Sequence, residues 1–260
     1  MNSAMPLPFD VKLMNITASV LFTAWLVLMV AAGAWWLVRN PVFAIAGITV
    51  QGDVTHNSAA TLRANVAPRL HGNFFTVNLA AAREAFEAVP WVRTAVVRRE
   101  FPNRLRVSLQ EHQAAALWGT DDARLVNTYG EVFEANAADV EQDPLPTLSG
   151  PNDQAGQVLA MYRLLKPMFE PLDLGVEQVA LTPRGSWQVE LDNGAAVELG
   201  RGSNDEVMAR TQRFLQTLTQ VTSRYGRRPD ALLSADLRHG DGYAVRLRGV
   251  GTTGADAAGK

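Results

Sequence analysis

From Ile16 to Val38 the chain runs for 23 residues, ITASVLFTAWLVLMVAAGAWWLV, without a charge, Pro, Asn or Gln. A helix rises about 1.5 Å per residue, so a stretch of this length crosses a hydrocarbon core of about 30 Å with some tilt. Lys12 precedes it, Arg39 follows it, and Trp35 and Trp36 stand near its C-terminal end, where indole rings favour the membrane interface. A buried core helix is disfavoured because no face of the stretch is polar over six turns. A cleaved signal peptide is disfavoured because the apolar run outlasts the usual h-region of about 7–15 residues and continues past Ala32-Gly33-Ala34. The reading is a tail at 1–15 and a transmembrane helix at 16–38. Charge leaves the orientation open, since Asp10 and Lys12 cancel before the helix and Arg39 stands alone after it.

Composition narrows the remainder. Asn40 to Lys260 carries 22 cationic and 25 acidic residues, so the surplus of positive charge that phosphate-backbone binding requires is missing. The absence of cysteine removes thiol nucleophiles, disulfides and thiolate metal sites together. What is left is long enough for two small domains.

Punctuation and periodicity divide that length. Residues 43–51, FAIAGITVQ, read as a strand closed by Gly52-Asp53. Residues 58–69 read as a helix capped by Asn57 or Ser58, and 79–89 as a second one, with Leu79, Ala82, Ala85, Phe86 and Val89 on one face and Pro90 as its stop. Strands at 91–99 and 104–111 follow, joined through Phe101-Pro102-Asn103. The order is β-α-α-β-β, a small sheet with two helices on one face. Beyond it lie short strands at 115–118, 125–126 and 132–133, breaks at Pro144, Pro146 and Gly150-Pro151, and a helix at 154–169. A meander at 176–181, 187–191 and 196–199 contains Asp192-Asn193-Gly194, the strongest hairpin signal of the chain. A long helix at 205–225 turns Val207, Phe214, Leu215, Leu218 and Val221 to the core, and strands at 231–237 and 243–248 come last. The tail at 249–260, GVGTTGADAAGK, has nothing to pack and is expected to be disordered. The fold class is α+β.

Catalytic signatures are sparse. His56, His71, His112 and His239 are scattered, with no spacing that aims two imidazoles at one metal, and Glu111 and His112 are neighbours that point to opposite faces of a strand. No serine lies in a GxSxG elbow or an SxxK. Gly249 to Gly254 matches GxGxxG literally, but no helix and no acidic partner follow it. No cofactor or metal is expected.

Taken in order, Val50-Gln51-Gly52, Pro90-Trp91-Val92, Ala95, Val97, Arg98 or Arg99, Phe101-Pro102, Leu105, Val107 and Glu111 form a set. Asn127 to Gly130 with Val132-Phe133, Leu148 to Pro151, Arg184-Gly185-Ser186-Trp187, Leu199-Gly200-Arg201-Gly202 and Asp236-Leu237-Arg238 continue it. The set resembles the FtsQ/DivIB family of bacterial cell-division proteins, in its Gram-negative branch.

The resemblance implies a POTRA domain at 43–112, a mostly antiparallel β-domain with flanking helices at 113–248, a cytoplasmic tail and a periplasmic bulk at the division septum of the inner membrane. It implies a non-enzymatic scaffold that joins FtsB and FtsL, is linked to FtsK, and reaches FtsW and the septal penicillin-binding protein directly or indirectly. By the same resemblance FtsB docks as an added strand on the last strand, Tyr243-Ala244-Val245-Arg246-Leu247-Arg248, with Arg184, Arg201, Arg238, His239 and Gly242 as neighbours. Thr94, Val97 and Arg99 match positions used for upstream recruitment, although for Val97 core packing is an equal reading. From the residue pattern alone, an alternation of Arg with apolar residues is also an ordinary solvated strand. A membrane-anchored cell-wall enzyme and a POTRA-bearing secretion component are the rival classes; the second calls for repeated POTRA units or a many-stranded barrel, neither visible in the sequence.

Overall fold

The computed structural model describes residues 9–52, 54–120, 123–140, 144–239 and 242–250. Helix α1 spans Phe9–Arg39, and its 10–36 portion has a mean hydropathy of 2.0 with none of it buried by the rest of the chain. Thr17 and Thr23 donate their hydroxyls to the carbonyls of Leu13 and Ser19, one turn back, so even these polar groups are satisfied within the helix. It is long and apolar enough to cross a membrane.

The chain forms two compact units, divided between Glu111 and His112, with α1 in the first. In the first, a 3-10 turn at Pro41–Phe43 occupies the beginning of the stretch expected as strand, and β1 starts only at Gly47–Gly52. Helix α2, Ala59–Val66, is capped by the Ser58 hydroxyl and gives way to a 3-10 turn at Ala67–Arg69, because Pro68 cannot continue an α-helix. Helix α3, Leu79–Glu87, is capped by Asn78, whose side chain accepts the N–H groups of Ala80 and Ala81.

Strands β2, Val92–Glu100, and β3, Arg104–Glu111, form the hairpin. The sheet order is β1-β3-β2, with β1 parallel and β2 antiparallel to the central β3. Leu62 and Val66 of α2, Ala85 and Phe86 of α3, and Ala95, Val107 and Leu109 of the sheet share one core. Its polar lid is Glu111, 4% exposed, whose carboxylate accepts the backbone N–H groups of His56 and Asn57 and the side-chain amide of Asn57. The His56 ring lies parallel to buried Trp91 at 3.9 Å, and Trp91 is held at φ 70, a conformation that only tight surroundings impose on a large side chain.

Among its described residues the second unit has nine strands: β4 Ala114–Trp118, β5 Arg124–Asn127, β6 Val132–Glu134, β7 Thr147–Ser149, β8 Val176–Leu181, β9 Trp187–Leu191, β10 Ala196–Gly200, β11 Leu232–Asp236 and β12 Ala244–Leu247. Their order is β12-β11-β10-β9-β8-β7-β4-β5-β6. Five neighbouring pairs are antiparallel, and three, β10–β11, β8–β7 and β7–β4, are parallel. Strand β7 was hidden from the sequence reading among Pro144, Pro146 and Gly150-Pro151; with three residues it has no period to display, yet it sits mid-sheet and its Leu148 is fully buried.

Helices α4, Ala155–Phe169, and α5, Asn204–Arg224, pack on each other and on the sheet. A capping box between Ser203 and Glu206 starts α5. The buried stripe of α5 is Val207, Thr211, Phe214, Leu218 and Thr222, rotated from the expected one. Thr211 and Thr222 are tolerated in the core because their hydroxyls bond to the carbonyls of Val207 and Thr219 on the same helix. Hairpin β9–β10 turns at Gly194, φ +78, with Asn193 Oδ1 accepting the N–H of Ala195, as the Asp-Asn-Gly signal required.

Of the expected disordered tail, residues 251–260 lie outside the described residues. Gly249 and Val250 belong instead to an ordered turn, in which Val250 packs against the core.

Replacing Leu148 by Ala should cost about 2–5 kcal/mol, because both parallel neighbours of β7 close over it. Chemical unfolding followed by the fluorescence of buried Trp118 and Trp187 measures it; a loss below about 1 kcal/mol would mean that β7 does not hold the sheet together.

Candidate functional site

Among the described residues strand β12 is the terminal strand of its sheet, paired with β11 on one side. Its register sets Val245 opposite Ala235, Arg246 opposite Ser234 and Ala244 opposite Asp236. Alternation then turns Tyr243, Val245 and Leu247 to the core, where Leu247 is buried and the other two are partly so, and leaves Ala244 and Arg246 exposed. Leu233 is the extra residue of a bulge in β11, so β12 itself stays regular. Arg248 donates its N–H to the carbonyl of Ala231. Along a regular antiparallel strand this places the backbone groups of Val245 and the N–H of Leu247 on the outer side, away from β11, while the Leu247 carbonyl accepts the N–H of Val250 at 3.3 Å.

Two concavities lie beside the residues that follow β11, and Arg210 lines both. In one, Arg184, Ser186, Gln188, Glu198, Gly200, Arg201, Arg210 and Arg238 surround a hollow of about 570 Å³. In the other, Arg210, Arg213, Thr217, His239, Gly242 and Tyr243 line a groove of about 280 Å³ along α5. Three separate sequence strings, 184–187, 199–202 and 236–238, thus converge because their strands end at the same end of the sheet. Gly200 permits the approach: a Cβ there would stand 3.0 Å from Arg238 Cγ and 3.4 Å from Arg210 Nη1, and its φ of +81 disfavours any other residue.

The arginines differ in how far they are committed. Arg238 grips Asp236 through Nε to Oδ1 at 2.9 Å and Nη2 to Oδ2 at 2.6 Å, a two-pronged pair. The Arg238 hydrogen bonds hold the Asp236 carboxyl down at about 2 from its ordinary 3.8, and Asp236 in turn raises the affinity of Arg238 for its proton. Arg210 donates from Nη2 to the Arg201 carbonyl, while its Nε is buried with no hydrogen-bond partner among the described residues. Arg184 and Arg201 are exposed. Tyr243 is fixed by an edge-to-face contact with Phe214 at 5.1 Å and a 2.5 Å hydrogen bond to Thr217.

Arg210, Arg213 and Thr217 were not singled out from the sequence. Their only signal was a place on the polar side of α5, which most solvent-facing residues share.

The recruitment candidates lie in the other unit, on β2. Thr94 is exposed, with its hydroxyl 3.4 Å from Gln110 Oε1. Val97 is half-buried against the core, so the packing reading describes its contacts. Arg99 donates to the carbonyls of Phe74 at 2.7 Å, Phe75 at 3.3 Å and Val77 at 2.9 Å, which makes it a brace for the 74–77 loop. Side chains 97 and 99 therefore face one side of the sheet and Thr94 the other. Among the described residues no group of three or more His, Asp or Glu side chains is placed to hold a metal.

An apolar helix followed by a β-α-α-β-β unit and a mixed-sheet domain defines a single-pass membrane protein with a POTRA module. Residues 43–112 match the POTRA domain, FtsQ-type, and residues 116–238 the C-terminal region of cell division protein FtsQ/DivIB. The chain is 43% identical over 242 residues to cell division protein FtsQ of Burkholderia pseudomallei, covering 93% of this chain and 94% of that one. It is 40% identical over 254 residues to FtsQ of Thiomonas arsenitoxydans, covering 95% and 91%, and 38% identical over 255 residues to FtsQ of Bordetella pertussis, covering 92% of each. The chain belongs to the FtsQ/DivIB family of cell division proteins. The matched C-terminal region stops at residue 238, just before the connection that leads to β12.

If the Arg238 pair holds Asp236, an NMR titration should place the Asp236 carboxyl near 2 and return it towards 3.8 in Arg238→Ala. Because the folded-state value is the lower one, the stabilisation is present above about pH 4 and is lost as pH falls towards 2. An unchanged Asp236 titration in Arg238→Ala would refute the pairing.

Proposed function

We propose that this chain is a non-enzymatic divisome scaffold that captures FtsB as an added strand on β12 and holds FtsL with it. The observation that carries the reading is the one-sided pairing of β12: its outer backbone groups can be satisfied by an extended segment, which is how strand addition gains affinity. The arginine hollow beside it supplies recognition, with Arg184 and Arg201 exposed and Arg238 already orienting a carboxylate. A partner segment with an acidic side chain next to its strand fits that chemistry. His239, Gly242 and Tyr243 line the adjoining groove and would take an apolar side chain of the same segment.

On this reading the N-terminal tail is cytoplasmic and both folded units are periplasmic at the septum of the inner membrane. Thr94 and Arg99, the exposed members of the β2 trio, are then the contacts offered to FtsK, while Val97 packs against the core. FtsW and the septal penicillin-binding protein are reached through the assembled complex.

Val245 offers a clean test. Proline is tolerated on an edge strand where the missing N–H faces outward, and the Val245 N–H is such a group. Val245→Pro in the full-length protein should abolish co-purification of FtsB while the unfolding midpoint of the second unit shifts by only a few degrees. Retained co-purification would remove β12 as the docking edge.

A further inference from the structure

The first unit carries an aromatic edge that its own core does not use. Phe101, at the β2–β3 turn, is 81% exposed, Phe75 is 48% exposed and Val42 is 71% exposed. These are not scattered. The rings of Phe43 and Phe75 meet edge to face at 5.0 Å, those of Phe74 and Phe75 at 5.2 Å, and those of Phe74 and Phe101 at 6.4 Å. The backbone joins the same segments: Phe74 N–H donates to the Phe43 carbonyl and Ala46 N–H to the Asn103 carbonyl, each at 2.9 Å. Arg99 and the Asn73 side chain, which accepts the N–H groups of Phe75 and Thr76 at 3.0 Å, fix the loop that presents Phe75.

The place of this edge in the chain decides what it meets. Phe43 follows the last residue of α1 by four positions, which at full extension reach about 14 Å. The headgroup layer beyond a hydrocarbon core is itself about 5–7 Å thick, and Trp35 and Trp36 mark its level on α1. A surface tethered so briefly sees the bilayer at an effective concentration that no free partner matches. Aromatic rings are the side chains that settle at this boundary.

Charge agrees. Residues 43–112 hold eight arginines against five acids, whereas residues 113–248 hold thirteen basic residues against nineteen acids. Arg69 and Arg104, both exposed, flank the aromatic loop and turn in sequence. An anionic lipid surface attracts the first unit and repels the second.

We propose that the edge formed by Phe75 and Phe101, anchored through Phe43, is a membrane-docking surface that enters the headgroup layer at the C-terminal end of α1 and holds the POTRA domain against the bilayer. The proposal rests on α1 spanning the membrane, and the test separates the two. The absence of native cysteine allows single cysteines to be labelled with an environment-sensitive fluorophore in the full chain, reconstituted in vesicles of mixed zwitterionic and anionic phospholipid carrying a doxyl quencher. Probes go at Phe101→Cys, at Phe75→Cys, at Val96→Cys as an exposed apolar control on β2, and at Ser19→Cys inside α1. Because Phe101 is the most exposed of these POTRA side chains, its replacement leaves the core intact even if Phe75→Cys loosens the loop. Headgroup-level quenching at 101 several-fold stronger than at 96, falling when the anionic lipid is omitted, is the expected result. Quenching at 19 together with equal, weak signals at 101 and 96 would overturn the docking surface and leave the aromatic edge to a protein partner. An unquenched probe at 19 would overturn the spanning helix and the docking with it.

Discussion

Among the described residues the larger sheet has nine strands and two ends, and at an end the outward backbone groups have no neighbouring strand to answer them. One end is β12, four residues long, reached after α5 carries the chain from β10 to a parallel β11 and a short connection turns it back. Everything at the candidate site follows from that position. Tyr243, Val245 and Leu247 are drawn inward to close the core, so the strand offers its neighbours two small features, the exposed Ala244 and Arg246 side chains, and one large one, the main chain. Shortness and the cations Arg246 and Arg248 protect such an edge from pairing with its own copies, since like charges would meet across the seam. The same charges favour a partner of opposite sign.

The arginine hollow is the second consequence of the sheet ending where it does. Arg184 leaves the β8–β9 turn, Arg201 follows β10, Arg238 follows β11 and Arg210 comes down from α5, and these segments share one end of the sheet. Crowding four guanidinium groups costs energy unless counter-charges stand among them. Asp236 and Glu198 do so, and the two hydrogen bonds from Arg238 hold the Asp236 carboxyl below its ordinary value. As a candidate binding surface the hollow is braced in advance, which reduces the ordering that association would require.

Much of this architecture was legible in the residues. The uncharged run at 16–38 marked α1, the alternation of Leu105, Val107 and Leu109 marked β3, and Asp192-Asn193-Gly194 marked the β9–β10 hairpin. Each is a local signal with a physical period or a required φ behind it. Strand β7 was not legible, because three residues between prolines and a glycine carry no period, and its role comes from parallel neighbours distant in sequence. The buried stripe of α5 was misjudged by a small rotation, because buried threonines that bond to their own helix look polar in a sequence. At the site, Arg184, Arg201 and Arg238 were recognisable through family strings, whereas Arg210, Arg213 and Thr217 became visible only once α5 was laid beside the β11–β12 connection. That Arg99 also braces the 74–77 loop was not legible, because the carbonyls it meets lie more than twenty residues away in sequence.

On the proposed reading, a partner strand attaches to the outer backbone of β12. Hydrogen–deuterium exchange on the full-length protein, alone and with the periplasmic part of FtsB, addresses it directly. The account predicts that the amides of Val245 and Leu247, fast in the free protein, become strongly protected in the complex, while those of β6 at the opposite edge are unchanged. Stable binding with exchange at Val245 and Leu247 unaltered would contradict it.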